Sequence, residues 1–432
     1  MSEAAEIFLP RDAAAKIANS AALEGDLSID LVEAEGVFVV NKVGIGSGVI
    51  LPVVIPPEYK VLKWTNASFQ GHWVRRASGD INIKHLLMLR RPAFALAYDE
   101  FKEHVPELRN PGGNTEVLIT HDPDVPDALC ALGVREFAGW LVRRDGVTPL
   151  SLDIEPDTLG IDQLEKQWPV KALADLSVMV VGCGSIGGYT AEALARYGVG
   201  RIELVDPDRL RWHNTLRHIV GPEGVGAYKV TALARALRER WPTQQFTPHK
   251  FDVVSQAHDL RPLLRDVDLV ICTADGIAAR RVISHLARRA RKTAVLACVL
   301  DDGAFGEVLR LRPTPKFGCL LCLRRAQEKK GAMDIEAAQE RDYGTGHVHL
   351  PMTAVPPDLQ LVGVLAAKVG VATLLESGLG DDTQRIPNEY AVMGLRPASG
   401  GELLAPFDLD YVGEIRWQSI PPPAVDCITC SP

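Results

Sequence analysis

The chain lacks a basic excess, an uninterrupted apolar run of bilayer length, any low-complexity tract and any internal repeat. Its formal charge of −8 argues against a dedicated nucleic-acid binder, whose affinity would rest on a basic face. A bilayer-spanning helix needs about 20 predominantly apolar residues in succession, and without such a run no membrane association is expected. The opening residues, "MSEAAEIFLPRDAAAK", have neither the basic start nor the apolar core of a secretory signal, so the expected location is the cytoplasm. Aromatic residues make up only 6%. Three tryptophans, Trp64, Trp73 and Trp140, fall in the first third of the chain and are expected to serve a core or a protein interface there. The segment "LRRAQEKKGAMDIEAAQERDYGTGHVHLPMTAVPPD" (323–358) contains no cysteine, which excludes a thiol nucleophile within it.

Cysteine is sparse but patterned. Of eight residues, Cys319 and Cys322 form "CLLC" and Cys427 and Cys430 form "CITC". In a reducing compartment two such pairs read as metal ligands before disulfides, and four thiolates complete a closed tetrahedral zinc site. The metal would staple the C-terminal tail to the loop after a sheet. A redox role is the weaker reading, because no helix follows the second pair. Cys130, Cys183, Cys272 and Cys298 sit in apolar or Gly-rich settings and read as small buried hydrophobes.

With 432 residues the chain should hold two or three domains. Over residues 1–155 short apolar runs such as "GVFVV" and "HLLML" are broken by Pro and Gly, the texture of an α+β domain. "VGIGSGV" (43–49) reads as a hairpin turn, since no helix follows it. "THDPDVPD" offers His121, Asp122 and Asp124 as metal ligands, with an Asp-Pro turn the commoner account. From residue 160 to 432 strands and helices alternate. That pattern predicts an α/β, Rossmann-like, mostly parallel sheet with helices on both faces, with "GAFGEVLRLR" (303–312) added beside it as a strand or hairpin. "RRARK" (288–292) reads as the solvated basic end of a helix.

"VVGCGSIGGYTAEALARYG" fits a strand, a Gly-rich turn and a helix. Gly182, Gly184 and Gly187 match G-x-G-x-x-G: the first permits the turn, the second lets a phosphate approach the backbone, and the third lets helix and strand pack. Asp206 ends the next strand, where a carboxylate holds a ribose hydroxyl. An oxidoreductase using NAD or FAD would need no more than this. Yet "DPDRLRWHNTLRH" continues with Asp208, Asn214, Arg217 and His218, and Lys229 opens the following helix. A triphosphate carries roughly four negative charges and calls for such cations and donors. Asp275 closes "LVICTAD" at a strand end, where a carboxylate could hold Mg²⁺.

Together, the Gly turn, Asp-x-Asp, Asn-x-x-Arg, the helix-opening Lys, an Asp ahead of a helix carrying Arg280, and two C-x-x-C pairs resemble the ThiF-type, ubiquitin-activating-enzyme-like adenylyltransferases over about residues 160–432. The resemblance implies that Asp206, with Asp208 beside it, holds the ribose of ATP. It implies that Asn214, Arg217 and Lys229 bind and orient its phosphates, Asp275 holds Mg²⁺, and Cys319, Cys322, Cys427 and Cys430 bind structural zinc. "PPDLQLVGVLAAKVGVATLLESGLG" (356–380) is similar to the helix near the start of the family's closing region. Three departures stand out: His218 where the family often has Gln, Gly276 where it often has Asn, and no Arg pair in "IDQLEKQWPVKALADLS" ahead of the first strand.

The implied reaction is ATP-dependent adenylation of the C-terminal carboxylate of a ubiquitin-like protein, in a bacterial conjugation or antiviral defence pathway, by a homodimer that hands its product to a conjugating enzyme. Activation of a precursor peptide, an NAD- or FAD-dependent oxidoreductase, and an inactive nucleotide-binding scaffold are the alternatives. Cys183, inside the nucleotide loop, is poorly placed for a protein thioester. His347 and His349 in "GTGHVHLP" could meet a metal or phosphate, though exposed loop histidines are commoner.

Overall fold

The computed structural model describes residues 5–431 apart from 47, 58, 77–79, 92–93, 159, 332–353 and 399–402. The chain divides into two compact units, Met1–Leu159 and Gly160–Pro432. His347 and His349 lie outside the described residues.

Among the described residues the first unit holds eight strands: β1 (Glu6–Leu9), β2 (Glu24–Val32), β3 (Val37–Gly44), β4 (Ile50–Pro52), β5 (Ala67–Arg75), β6 (Glu116–His121), β7 (Phe137–Arg143) and β8 (Gly146–Ile154). They run in the order β1-β8-β7-β6-β5-β2-β3-β4, and β1 also pairs with β3, so seven strands close into a barrel. Closure is where the structure departs from an α+β sheet. Local alternation marks strands such as β2, where buried Gly25, Leu27, Ile29 and Leu31 alternate with more exposed neighbours, but only the long-range pairing Glu6↔Val37 reveals that the edges meet. The interior is filled by Ile7, Ile29, Phe38 and Trp73, with Ala13 and Ile17 of α1 (Arg11–Ala18) packed among them. Outside, Ile81 and Met88 of α2 (Asp80–Leu89) and Phe101 of α3 (Tyr98–His104) cover Leu118 and Trp140. Trp73 and Trp140 are thus core residues, whereas Trp64 is exposed. The glycine-rich 43–49 segment is a hairpin connection, with β3 and β4 antiparallel across it. Asp122 Oδ1 accepts from the Asp124 amide at 3.0 Å, the local turn expected of Asp-Pro. Cys130, in α4 (Asp127–Ala131), is exposed and not buried, because that helix is one turn long and buries no residue of its own.

The second unit holds β9 (Ser177–Val181), β10 (Arg201–Val205), β11 (Gln245–His249), β12 (Leu269–Cys272), β13 (Thr293–Leu300), β14 (Phe305–Leu311), β15 (Tyr390–Gly394) and β16 (Ile415–Gln418). Their order is β11-β10-β9-β12-β13-β14-β15-β16. The first five are parallel and the last three antiparallel, so β14 is the added strand foreseen after the parallel run. The helices are α5 (Val170–Ala174), α6 (Ser185–Tyr197), α7 (Lys229–Arg240), α8 (Ala257–Asp266), α9 (Ile277–Arg289), α10 (Leu320–Lys329) and α11 (Pro356–Leu374). Alternate residues of β9 serve the two faces. Val178 and Val180 pack with Leu194, Leu233 and Val362 of α6, α7 and α11; Met179 and Val181 pack with Leu260, Ile283 and Leu323 of α8, α9 and α10. Each such fully buried side chain contributes about 1.5–3 kcal/mol, which is why a strand this short can anchor both layers.

The sequence holds no uninterrupted apolar run of bilayer length, yet among the described residues one helical stretch, Pro356–Leu379, is long and apolar enough to cross a membrane even with Lys368 inside it; most of it is buried in the protein. It lies against α6 at backbone distance. A Cβ on Gly363 would sit 2.6 Å from the Ile186 carbonyl oxygen, and Thr190 Oγ1 bonds the Gly363 carbonyl at 3.1 Å. Gly363→Ala therefore has to separate two helices, an overpacking that costs about 1–3 kcal/mol. A lower urea midpoint at unchanged slope is the expected result.

Candidate active site

In open parallel sheets ligands bind beyond the carboxyl ends of the strands, where the strand order reverses. Here β10 and β12 flank β9 on opposite sides, and the loops after these strands enclose a cavity of about 970 Å³. Gly182, Gly184, Asp206, Asp208, Asn214, Arg217, Lys229 and Asp275 all line it.

The glycine turn is shaped by contact with its neighbours. Gly182 has φ +87°, and a Cβ there would meet the Ala274 nitrogen at 2.6 Å. A Cβ on Gly187 would fall 1.8 Å from the Gly182 carbonyl oxygen, whereas one on Gly184 would meet nothing within 4 Å. Two glycines thus permit packing, and the middle one keeps the turn open to the cavity. The turn leads directly into α6, whose N-terminal amides form an anion site. Thr273 Oγ1 donates to the Gly182 carbonyl at 2.5 Å, which ties the turn to the end of β12.

Two buried side chains fix the turn from the other side. Asp206 Oδ2 accepts from the Cys183 amide at 2.7 Å and Oδ1 from the Asp208 amide at 2.8 Å; each oxygen keeps a further lone pair for a ligand. Burial pushes the Asp206 carboxyl up, against the opposing pull of Lys229. His218 Nδ1 accepts from the Val220 amide at 3.0 Å, so its proton is on Nε2, which donates to the Cys183 carbonyl at 2.8 Å. Burial holds this imidazole at a pKa of about 4, hence neutral. A glutamine amide could also supply an N–H donor and an acceptor oxygen, which explains physically how histidine can stand at this position.

Lys229 Nζ donates to Asp208 Oδ2 at 2.7 Å. Burial disfavours its charge, but Asp206, Asp208 and Asp275 outweigh burial and raise its pKa. The side chain of Asp275 is solvent-accessible, yet enclosure by the cavity walls raises its carboxyl despite Arg217 and Lys229 nearby. Asn214 Oδ1 accepts from the Arg211 amide at 2.9 Å, which leaves its amide nitrogen as the group that can donate to an anionic ligand. Among the described residues, six carboxylates (Asp206, Asp208, Asp252, Asp275, Asp301, Asp302) and three cations (Arg217, Lys229, Arg281) line the cavity.

Sequence reasoning selected Arg280 and missed Arg281. Arg280 is buried and bonds Glu307 of β14, away from the cavity; its neighbour Arg281 lines the wall. The i+4 spacing of Arg281 from Ile277 at the helix start was the available signal. Cys183 is wholly buried and its thiol is pushed far up by burial, which makes it a poor nucleophile. Cys272 and Cys298 are buried as well.

Cys319, Cys322, Cys427 and Cys430 come together, with all four sulfurs within 4.8 Å of one another. Three of the separations are 3.8, 3.4 and 3.8 Å. Zn–S bonds of about 2.3 Å in a tetrahedron give edges of about 3.8 Å, so the donor set fits such an ion. The Ala424 amide points at Cys322 Sγ from 3.3 Å, the type of outer contact that orients a metal-bound thiolate.

Residues 159–392, more than half of the chain, match the ThiF family. Among curated proteins, the chain is 30% identical over 181 residues to the uncharacterized protein y4oA of Sinorhizobium fredii, covering 39% of this chain and 30% of that protein. It is 28% identical over 159 residues to ubiquitin-like modifier-activating enzyme 5 of Branchiostoma floridae, covering 34% and 39%. The chain thus spans well under half the length of these relatives. Among solved structures, the Microcin C7 biosynthetic enzyme MccB in complex with N-formylated MccA aligns at TM-score 0.46 and 19% identity, over 60% of this chain and 69% of that one. E. coli MccB with ATP aligns at 0.45 and 19%, over 60% and 68%. A likeness at this level carries no functional argument.

His218 generates a pH signature. Its folded pKa of about 4 lies below the ordinary 6.5. An unfolded chain takes up the proton first as pH falls. The stability it supports is complete above pH 6.5 and is lost as pH falls towards 4, on the order of 3 kcal/mol. His218→Gln removes the titrating group while still offering an N–H donor and an acceptor oxygen, so the difference between wild-type and variant unfolding profiles should grow over that window and stay flat above it.

Proposed function

The chain belongs to the ThiF family, and from that premise we propose that residues 160–432 catalyse ATP-dependent adenylation of the C-terminal carboxylate of a ubiquitin-like protein or peptide. The observation that carries this reading is the charge pattern of the cavity. Six carboxylates against three cations repel a bare polyanion and favour a nucleotide that arrives with a divalent cation. A redox dinucleotide, with one pyrophosphate and no requirement for metal, has little use for Lys229, Arg217 and Asp275 on the same wall.

In this reading the substrate carboxylate attacks the α-phosphorus of ATP. A carboxyl C–O–P bond forms, the α–β P–O bond breaks, and pyrophosphate leaves with the electron pair. The amides at the start of α6 and the open face of Gly184 receive the phosphates. Asp206, already held by two amides, accepts from the ribose through its remaining lone pairs. Arg217 and Lys229 stabilise charge that grows on the leaving pyrophosphate, with Asn214 donating its amide N–H; Lys229 would exchange Asp208 for phosphate oxygen. Asp275 is the carboxylate best suited to hold Mg²⁺, which when bound neutralises phosphate charge. Catalysis here is positioning and charge stabilisation, with no protein nucleophile. The four thiolates hold zinc as a structural staple.

A ubiquitin-like protein is the favoured substrate within this reading, supported by the similarity to ubiquitin-like modifier-activating enzyme 5. A conjugation or defence pathway, a conjugating-enzyme partner and a homodimer are its further elements. Dependence on ATP and on reduced thiols suits a reducing compartment such as the cytoplasm.

Pyrophosphate exchange into ATP, driven by a cognate carboxyl substrate, should fall by about 10²–10³-fold in Arg217→Ala, Lys229→Ala and Asp275→Asn, with far-UV circular dichroism unchanged. Exchange that persists in all three removes the proposal. Metal analysis should find one zinc per chain, and Cys427→Ser should lose it and unfold at lower temperature; a chain that retains zinc with any of the four cysteines replaced contradicts the staple.

A further inference from the structure

Helix α9 has two occupations. Its first turns, with Asp275 and Gly276 just before them, form the cavity wall through Ile277, Ala278, Arg281 and Val282. Beyond those turns it packs on the sheet and α8, and several of its polar contacts go to the segments that carry the four thiols. Arg280 and Arg324 both bond Glu307, the latter through two contacts of 2.7 and 2.8 Å, and Arg324 lies two residues beyond Cys322 on α10. Leu320, next to Cys319, donates its amide to Ser284 Oγ at 3.3 Å. Thr429, between Cys427 and Cys430, bonds His285 at 3.2 Å. Arg289 reaches the Ile428 carbonyl at 3.2 Å, and Arg288 the Phe317 carbonyl at 2.9 Å. The helix is therefore held on successive turns, at 280, 284–285 and 288–289, by both thiol-bearing segments.

Glu307 is the centre of the grip. It is wholly buried and also accepts from the Tyr390 hydroxyl at 2.9 Å, which in turn accepts from Gln327 at 3.2 Å. A carboxylate bonded by two guanidiniums and a phenol has no freedom to move without all of its partners. None of these groups touches the cavity, and the helix is the element that joins them to Asp275 and Arg281.

We propose that Glu307 is a positioning residue for the phosphate end of the cavity: it locks α9 to the four-thiolate lobe, so that a filled metal site fixes where Asp275 and Arg281 stand. The zinc staple then does more than hold the tail; it sets the geometry of the nucleotide wall. This inference rests on the adenylation reading for its catalytic consequence, but the mechanical coupling itself does not.

The test compares metal-loaded wild type, wild type stripped by a thiol-competing chelator, and metal-loaded Glu307→Gln, with Arg324→Lys as a milder partner should Glu307→Gln fail to fold. Hydrogen exchange over residues 275–283 is read in each, together with MgATP KM and kcat. Stripping and substitution should both speed exchange in that segment and raise KM by about tenfold or more, with kcat much less affected. Zinc content in the variants should remain one per chain. Unchanged protection of 275–283 in a stripped or substituted chain that stays folded overturns the proposal. Failure of wild type to use ATP at all, with the exchange coupling intact, would sink the adenylation reading and leave the coupling standing.

Discussion

Charge held at the carboxyl edge of one parallel sheet governs this molecule. Six aspartates and three cations line a single cavity, and several of these groups are held in place. Lys229 is paired with Asp208 at 2.7 Å, and Asp206 is bonded to two backbone amides. A deficit of positive charge remains among the lining residues, and the proposed use of ATP together with a divalent ion rests on it. The same deficit raises the pKa of Lys229 and keeps the ammonium charged where burial alone would strip it.

Holding such charges in place requires backbone contacts that only glycine or a neutral hydrogen-bonding side chain permits. The turn after β9 runs so close to the end of β12 that a methyl on Gly182 would collide with Ala274. Behind the turn, His218 is neutral and bridges the Cys183 carbonyl and the Val220 amide. On the far wall the constraint comes from a greater distance, through a helix gripped by the thiol lobe. Local packing fixes one side of the cavity and a tertiary staple fixes the other.

Much of the second unit was legible because its signals are local. The G-x-G-x-x-G turn, the strand–helix alternation and the spacing of Asp206, Asn214, Arg217, Lys229 and Asp275 each lie within one strand-loop-helix step. The two C-x-x-C pairs were legible as a unit because equal spacings demand a common partner. What escaped the sequence depends on pairing across the chain. Barrel closure rests on Glu6 finding Val37, which no period-2 pattern encodes. Arg280 and Arg281 are adjacent and chemically identical, so only the helix phase against Glu307 sends one inward and the other to the cavity. The basic end of α9 read as a solvated face, but Arg288 and Arg289 bond carbonyls of Phe317 and Ile428.

The most direct measurement of the central claim is calorimetric titration of the intact, zinc-loaded chain with three nucleotides: ATP with Mg²⁺, ATP without a divalent ion, and NAD. A cavity short of positive charge predicts that ATP with Mg²⁺ binds at least about tenfold more tightly than either of the others, a difference of about 1.4 kcal/mol. NAD binding as tightly as ATP, or ATP binding indifferent to Mg²⁺, would contradict the account.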